Sequence, residues 1–235
     1  MENPQLPHAF SKAHLSQDSF SWWHILGLLV LIAAGWLLLG IAEDVVSGDR
    51  ITLVDTQLAA WFHAHATPPF TQFMLIVSYL QGILAMSIYA LLFGVFLLRK
   101  KQRYWLRALI LAIPGGMLLN VLMKEIFNRA RPGFTDPLVT LTTYSFPSGH
   151  VAGATLFYGV LAAYLIAHIS KWHWRVVVVI AAILLVTLVA LSRLYLGAHF
   201  LSDVLGAMAE GIAWLALCLT VTHILWQRPL TRLTP

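Results

Sequence analysis

Residues 25–42 read ILGLLVLIAAGWLLLGIA, a run with no ionisable side chain. A stretch of roughly 18 or more apolar residues is long enough to cross the hydrocarbon core of a bilayer as a helix. Comparable apolar runs follow at Phe70–Leu98, Trp105–Phe127, Val151–Ile169, Val176–Leu191 and Phe200–Trp226, the fifth extending to Tyr195. Together they predict an all-α fold, a polytopic membrane bundle of about six transmembrane helices. The expected organisation is a polar N-terminal segment over 1–22, one six-span domain over 23–228 and a tail over 229–235. The first run is read as a retained span, because Glu43-Asp44 rather than a small-residue cleavage site follows it.

Composition agrees. The chain is 59% hydrophobic and 11% charged, whereas soluble domains run at about 45–50% and about 25%. The net charge of +5 does not imply a nucleic-acid partner, since the basic residues gather in short loops between apolar runs. Cys218 is the single cysteine, so no internal disulfide forms.

Orientation follows from Lys and Arg in the short loops. The second loop carries Arg99, Lys100, Lys101, Arg103 and Arg107, the fourth Lys171 and Arg175, and the tail Arg228 and Arg232. The first loop carries Glu43, Asp44, Asp49 and Asp55 against Arg50 alone. The expectation is a multi-pass protein of the cell (inner) membrane with both termini cytoplasmic. Loops one, three and five then face the periplasm or exterior. Between the first two spans, Ile51, Val54, Leu58, Trp61 and Phe62 recur at helical spacing. That helix either lies along the outer membrane surface or packs on the bundle as an ordinary loop helix. Pro68-Pro69 ends it.

Three polar clusters fall at one end of this bundle. Lys124 and Arg131-Pro132 close the third span, Pro147-Ser148-Gly149-His150 opens the fourth, and Ser192-Arg193, His199 and Asp203 join the fifth to the sixth. Singly they read as a snorkelling Lys, a helix cap and a polar loop. Together they set three cations, two imidazoles, a carboxylate and a helix N-terminus at one membrane boundary, which is costly unless they serve a site. Phosphoryl transfer needs such groups, because charge spreads over the equatorial oxygens of its transition state. Lys124, Arg131 and Arg193 can surround a phosphate, and Ser148, Gly149 and the start of the fourth helix can seat it. His199 and Asp203 are four apart, hence on one face of a helix. Asp203 can fix the ring so that the other nitrogen attacks phosphorus. His150 would protonate the leaving oxygen and later activate water. Ser148 is the alternative nucleophile.

The order Lys124-x6-Arg131-Pro132, Pro147-Ser148-Gly149-His150 and Ser192-Arg193-x5-His199-x3-Asp203 resembles the three-part signature of the type 2 phosphatidic acid phosphatase superfamily. That superfamily includes lipid phosphate phosphatases and vanadium-dependent haloperoxidases. The resemblance implies His199 as nucleophile, Asp203 as its partner and His150 as acid. It implies phosphate binding by Lys124, Arg131, Ser148, Gly149 and Arg193, with no metal and no cofactor. The expected partner is a lipid phosphate within the bilayer: undecaprenyl diphosphate, phosphatidylglycerol phosphate or phosphatidate. The oligomeric state is not specified. The expected activity is hydrolysis of that lipid's phosphate or diphosphate through a phosphohistidine. The alternatives are a lipid diphosphate-dependent phosphotransferase, a haloperoxidase, and a non-enzymatic transporter or lipid-binding protein.

A few further residues carry expectations. Glu210, one turn-pair deeper than Asp203, is read as a buried partner for a polar group such as Asn120 or Gln81. Phe134 and Tyr144, in the loop between two motifs, are candidate substrate contacts. His63 and His65 point apart on a helix and do not read as metal ligands. His8, His14, His24, His168, His173 and His223 show no companion groups.

Overall fold

The computed structural model describes residues 22–227. Arg228, Arg232, His8, His14 and the terminal segments named above therefore lie outside the described residues. Among the described residues eight helices follow one another: α1 Trp22–Ser47, α2 Arg50–Ala64, α3 Pro68–Leu80, α4 Ile83–Arg99, α5 Arg103–Phe127, α6 Gly149–His168, α7 Trp172–Tyr195 and α8 Leu201–Gln227. Five of them are long and apolar enough to span a membrane, and six spans result if the bent pair α3 and α4 counts as one. At about 1.5 Å per residue, the 25 residues of α5 cover a hydrocarbon core of about 30 Å. The chain is a multi-pass membrane protein, and its outward side chains are those of lipid contact: Leu37, Leu91, Ile183 and Leu184 are all exposed.

The expected second span is broken. α3 and α4 meet at a 45° bend where Gln81 and Gly82 interrupt the apolar run. The bend is held by local bonds, with the Gln81 and Gly82 N–H groups donating to the carbonyls of Ser78 and Tyr79. The Gln81 amide donates to the Tyr158 hydroxyl at 2.7 Å. A glycine with a polar neighbour inside an apolar run is the local signal for such a break.

α6 is the central helix, packed against α4, α5, α7 and α8. Its N-terminal half joins Val151, Ala152 and Ala154 to Val189, Ala190, Val204 and Ala207. Its C-terminal half joins Val160 to Leu97, Trp105, Leu109, Ala112 and Cys218. Small residues at these contacts let the helices approach closely, where packing rather than water exclusion holds helices together. α1 lies along α8.

α2 packs on the bundle, against α1, α7 and α8. Its inward stripe differs from the apolar spacing read in the sequence. Asp55 and Ala59 are buried, while Val54 and Trp61 are exposed. The stripe Ile51, Asp55, Leu58, Ala59, Phe62 turns a carboxylate inward, for a reason found below. His24 and His223, expected to be without companions, have ring centroids 5.2 Å apart where α1 meets α8.

Phe146 is fully buried against Ile41, Ala42 and Met123, with Phe127 beside it. A Cβ placed on Gly206 would stand 2.6 Å from its ring, so only glycine fits there. Gly206→Ala is therefore expected to lower the unfolding temperature in detergent, at a cost of about 1–3 kcal/mol for overpacking. Adding Phe146→Leu should recover part of the loss, read by thermal unfolding of the single and double variants.

Candidate active site

The three clusters meet at one end of the bundle because of chain direction. Lys124 lies in the last turn of α5, Gly149 opens α6, Arg193 lies in the last turn of α7, and Asp203 lies in the first turn of α8. The basic stretch Arg99–Arg107, which runs from the last residue of α4 through 100–102 into the first turns of α5, lies at the opposite end.

Two local motifs place His199. α7 is capped at Leu196 and followed by Gly197, whose φ of +63° is the left-handed conformation that terminates helices. The Arg193 carbonyl then accepts the N–H groups of Ala198 at 3.0 Å and His199 at 3.3 Å. α8 starts at Leu201, so His199 lies in the preceding turn. The expectation that His199 and Asp203 share a helix face is corrected accordingly. Asp203 instead reaches backward, its Oδ2 accepting the Phe200 N–H at 2.8 Å. This is half of a capping box, an acid at the third helical position satisfying the N-cap N–H. It brings Oδ2 to 3.4 Å from His199 Nδ1, long for a hydrogen bond. On the other side of the ring, Nε2 accepts from Arg131 Nη1 at 3.1 Å. That pairing suits the tautomer with the proton on Nδ1, facing the carboxylate. Burial, the largest influence, pulls the His199 pKa down to about 4, with Asp203 opposing and Arg131 and Arg193 adding to the fall. The ring is neutral at physiological pH.

The cations divide into two kinds. Lys124 donates to the carbonyls of Tyr144 (2.8 Å), Ser145 (3.3 Å) and Pro147 (2.6 Å), so its ammonium anchors the loop that leads to Ser148. Arg131 donates to Thr143 and Tyr144 in the same loop and to the Ala198 carbonyl at 2.6 Å. It thereby ties that loop to the turn bearing His199. Arg193 is different. It is 2% exposed and donates from Nη1 to the Ser78 hydroxyl beside the α3–α4 bend. Among the described residues its Nε and Nη2 have no partner. Ser148, expected to cap α6 with its side chain, makes no such bond, and its buried hydroxyl is also unpaired. The N–H groups at the start of α6 have no intrahelical acceptors.

His150 lies within electrostatic range of Arg193, His199, Arg131 and Lys124. Its Nε2 faces the bend, 3.9 Å from where a Cβ on Gly82 would stand. The buried atoms without partners thus include two guanidinium nitrogens and a hydroxyl beside a helix N-terminus. Unpaired buried donors are costly, and an anion such as phosphate answers all of them.

Several groups were invisible to sequence reasoning. Arg129 donates to Asp203 Oδ1 at 2.6 Å and to Asp55 Oδ2 at 2.7 Å. Ser145 also donates to Asp203 Oδ2. Glu210 does find Asn120, whose amide donates to Oε2 at 2.8 Å, while Gln81 goes to Tyr158 instead. Phe134 stacks on His63 with ring centroids 4.1 Å apart, and His63 bonds Asp136 at 2.9 Å. Among the described residues no three His, Cys, Asp or Glu side chains gather in a metal-binding group.

The family model of the PAP2 superfamily matches residues 103–227. The chain belongs to the PAP2 superfamily. All three motif clusters fall inside the matched region, as the resemblance read from them implies. Among curated PAP2-like relatives, phosphatidylglycerophosphatase B of Bacillus subtilis (strain 168) is 43% identical over 123 residues, 51% of this chain and 58% of that protein. Sphingosine-1-phosphate phosphatase 2 of Homo sapiens is 31% identical over 129 residues, 52% of this chain and 30% of that protein. The chain thus matches less than two thirds of the length of these relatives. Among solved PAP2 structures, a transmembrane phosphatidylglycerolphosphate phosphatase from Bacillus subtilis superposes with a TM-score of 0.75 at 25% identity, covering 85% of this chain and 98% of that one. Aquifex aeolicus LpxE superposes with a TM-score of 0.53 at 25% identity, covering 73% and 95%.

The Asn120–Glu210 pair, both members buried, gives a direct check on this packing. Asn120→Leu strips the carboxyl of its donor and is expected to cost about 1–3 kcal/mol. Glu210→Gln keeps an acceptor for Asn120 and should cost less. Thermal unfolding of the two variants in detergent reads the difference.

Proposed function

We propose that this chain is an integral membrane phosphatase that hydrolyses a lipid phosphate or diphosphate, with His199 as nucleophile. One observation carries the reading: buried donors on Arg193 and Ser148 stand unpaired at the N-terminus of α6, in a cationic site that also holds a neutral imidazole. Such a site attracts a phosphate and presents it with a nitrogen lone pair.

In this reading Arg193, Ser148 and the N–H groups of Gly149 and His150 hold the equatorial oxygens. Lys124 and Arg131 shape the loop around them and add positive charge. Once Arg131 turns its Nη1 from the ring to a phosphate oxygen, Nε2 of His199 forms a bond to phosphorus as the bond from phosphorus to the leaving oxygen breaks. His150 gives its proton to that oxygen, and Asp203 stabilises the positive ring through Nδ1–H. A water then attacks phosphorus, passes its proton to His150 and breaks the P–N bond, releasing inorganic phosphate and the free ring.

The substrate is a lipid with a phosphate or diphosphate headgroup. The site lies at the end of the bundle opposite the basic loop Arg99–Arg107, which by the positive-inside rule is cytoplasmic. The site then opens on the periplasm or exterior, with both termini inside. Phosphatidylglycerol phosphate is the first candidate, on the likeness to phosphatidylglycerophosphatase B. Undecaprenyl diphosphate and phosphatidate share the chemistry.

Purified protein in detergent should release phosphate from one of these lipids with EDTA present. His199→Ala should lower kcat by about 10³-fold or more, as for other nucleophile removals. Full activity in that variant would overturn the mechanism. The acid limb of kcat/KM reports the free enzyme. It should fall near pH 4, because His199 must be deprotonated and its pKa is about 4. Activity is lost as pH drops through that limb, and a second limb is expected on the alkaline side, where His150 loses the proton it gives to the leaving oxygen. A limb at the ordinary histidine value would contradict a buried nucleophile.

A further inference from the structure

In one buried charge cluster, two members, Arg129 and Asp55, take no direct part in that chemistry. The Arg129 guanidinium lies between two fully buried carboxylates, Asp203 on α8 and Asp55 on α2. Nη1 donates to Asp203 Oδ1 and Nη2 to Asp55 Oδ2. Asp55 is held in turn by the first turn of α8, accepting the Ser202 N–H at 2.9 Å and its hydroxyl at 2.5 Å. Arg129 also donates to the Ser202 hydroxyl at 2.6 Å. The Phe200 ring covers the guanidinium, 4.5 Å from its carbon.

We infer that Arg129 and Asp55 are positioning residues which, acting through Asp203, set the orientation and charge felt by the His199 ring, on the reading that this ring is the nucleophile. Asp203 divides its oxygens. Oδ1 faces Arg129, whereas Oδ2 faces the Ser145 hydroxyl, the Phe200 N–H and His199 Nδ1. A carboxylate has a broad, roughly two-fold terminal torsion. One charged arm of the guanidinium on Oδ1 restricts that freedom and leaves Oδ2 to the ring. Arg129 can do this only if it is itself fixed, and Asp55 fixes its other arm. The charges along the line are negative, positive, negative. With Asp55 present, the guanidinium is shared and Asp203 keeps its negative character toward the ring. Asp55 and His199 also line one small cavity with Leu58, Phe62 and Leu194. This gives α2 a purpose that its apolar spacing did not reveal: it closes the back of the site and delivers the counter-charge.

The ring is faced by charged or titratable groups from every neighbouring element. These are Asp203 from α8, Arg193 from α7, Arg131 from the α5–α6 connection, His150 from α6 and Asp55 across the cavity. Changes behind Asp203 should therefore move the His199 titration in opposite directions. The test uses the full chain in detergent with ¹⁵N-labelled histidine, His199 being assigned by loss of its signals in His199→Gln. Arg129→Gln removes a positive charge and should raise the midpoint by about one pH unit, while Asp55→Asn removes a negative charge and should lower it. The double variant should return toward the parent value, and it keeps the test open if one single variant fails to fold. Arg129→Lys retains the charge but not the fork. Its midpoint should stay near the parent's, while kcat for phosphate release from phosphatidylglycerol phosphate micelles falls about tenfold at unchanged KM. Folded variants with unmoved midpoints, midpoints moving the same way, or a fully active Arg129→Lys would overturn the inference. A parent protein that releases no phosphate would overturn the proposed function alone, since the NMR midpoints are read without turnover.

Discussion

The carboxylate of Asp203 is the point on which this end of the molecule depends. It accepts from Arg129, Ser145 and Phe200 and faces His199, and its backbone carbonyl accepts the Ser148 N–H at 3.0 Å. One residue thus touches α8, the turn after α7, the loop before α6 and, through Arg129, α2. A buried carboxylate is tolerable only if paired and hydrogen-bonded. The partners that satisfy it are the same groups that assemble the site. In the proposed mechanism folding and function share this constraint: the charge that must be compensated for the helices to meet is the charge that faces the His199 ring.

Around that junction, the cations separate into those that build and those that wait. Lys124 and Arg131 spend their donors on backbone carbonyls of the loop 143–147 and the turn at Ala198. They convert a connection with no regular structure into a fixed wall. Arg193 and Ser148 retain unpaired donors in a buried place. The first pair gives the pocket its shape, and the second gives it an unmet demand for an anion. The α3–α4 bend contributes from the side, Ser78 steadying Arg193 and Gly82 leaving room beside His150.

Much of this was legible in the sequence. The six apolar runs and the clusters at Lys124, Ser148 and His199 could be placed at one end of a bundle from hydropathy and helix direction alone. Local rules failed where the partner is distant in sequence. Asp55 and Arg129 are 74 residues apart, and no periodicity links them. A signal was present nonetheless, in an acid occupying the stripe Ile51, Leu58, Ala59, Phe62 of an otherwise apolar helix face. The break at Gln81-Gly82 could also have been read from its glycine and polar neighbour. The spacing of His199 and Asp203 suggested a shared helix face. The true geometry is a turn followed by a backward-reaching cap, which the same spacing allows and periodicity alone cannot distinguish.

The central claim is that a nitrogen of His199 forms a bond to phosphorus. It is tested most directly by quenching the protein during turnover of a lipid carrying labelled phosphate, then locating the label on the peptide by mass spectrometry under alkaline conditions that preserve phosphohistidine. Label is expected on His199 and absent from His199→Ala. Label on Ser148, or steady turnover with no covalent adduct in the parent, would contradict the claim.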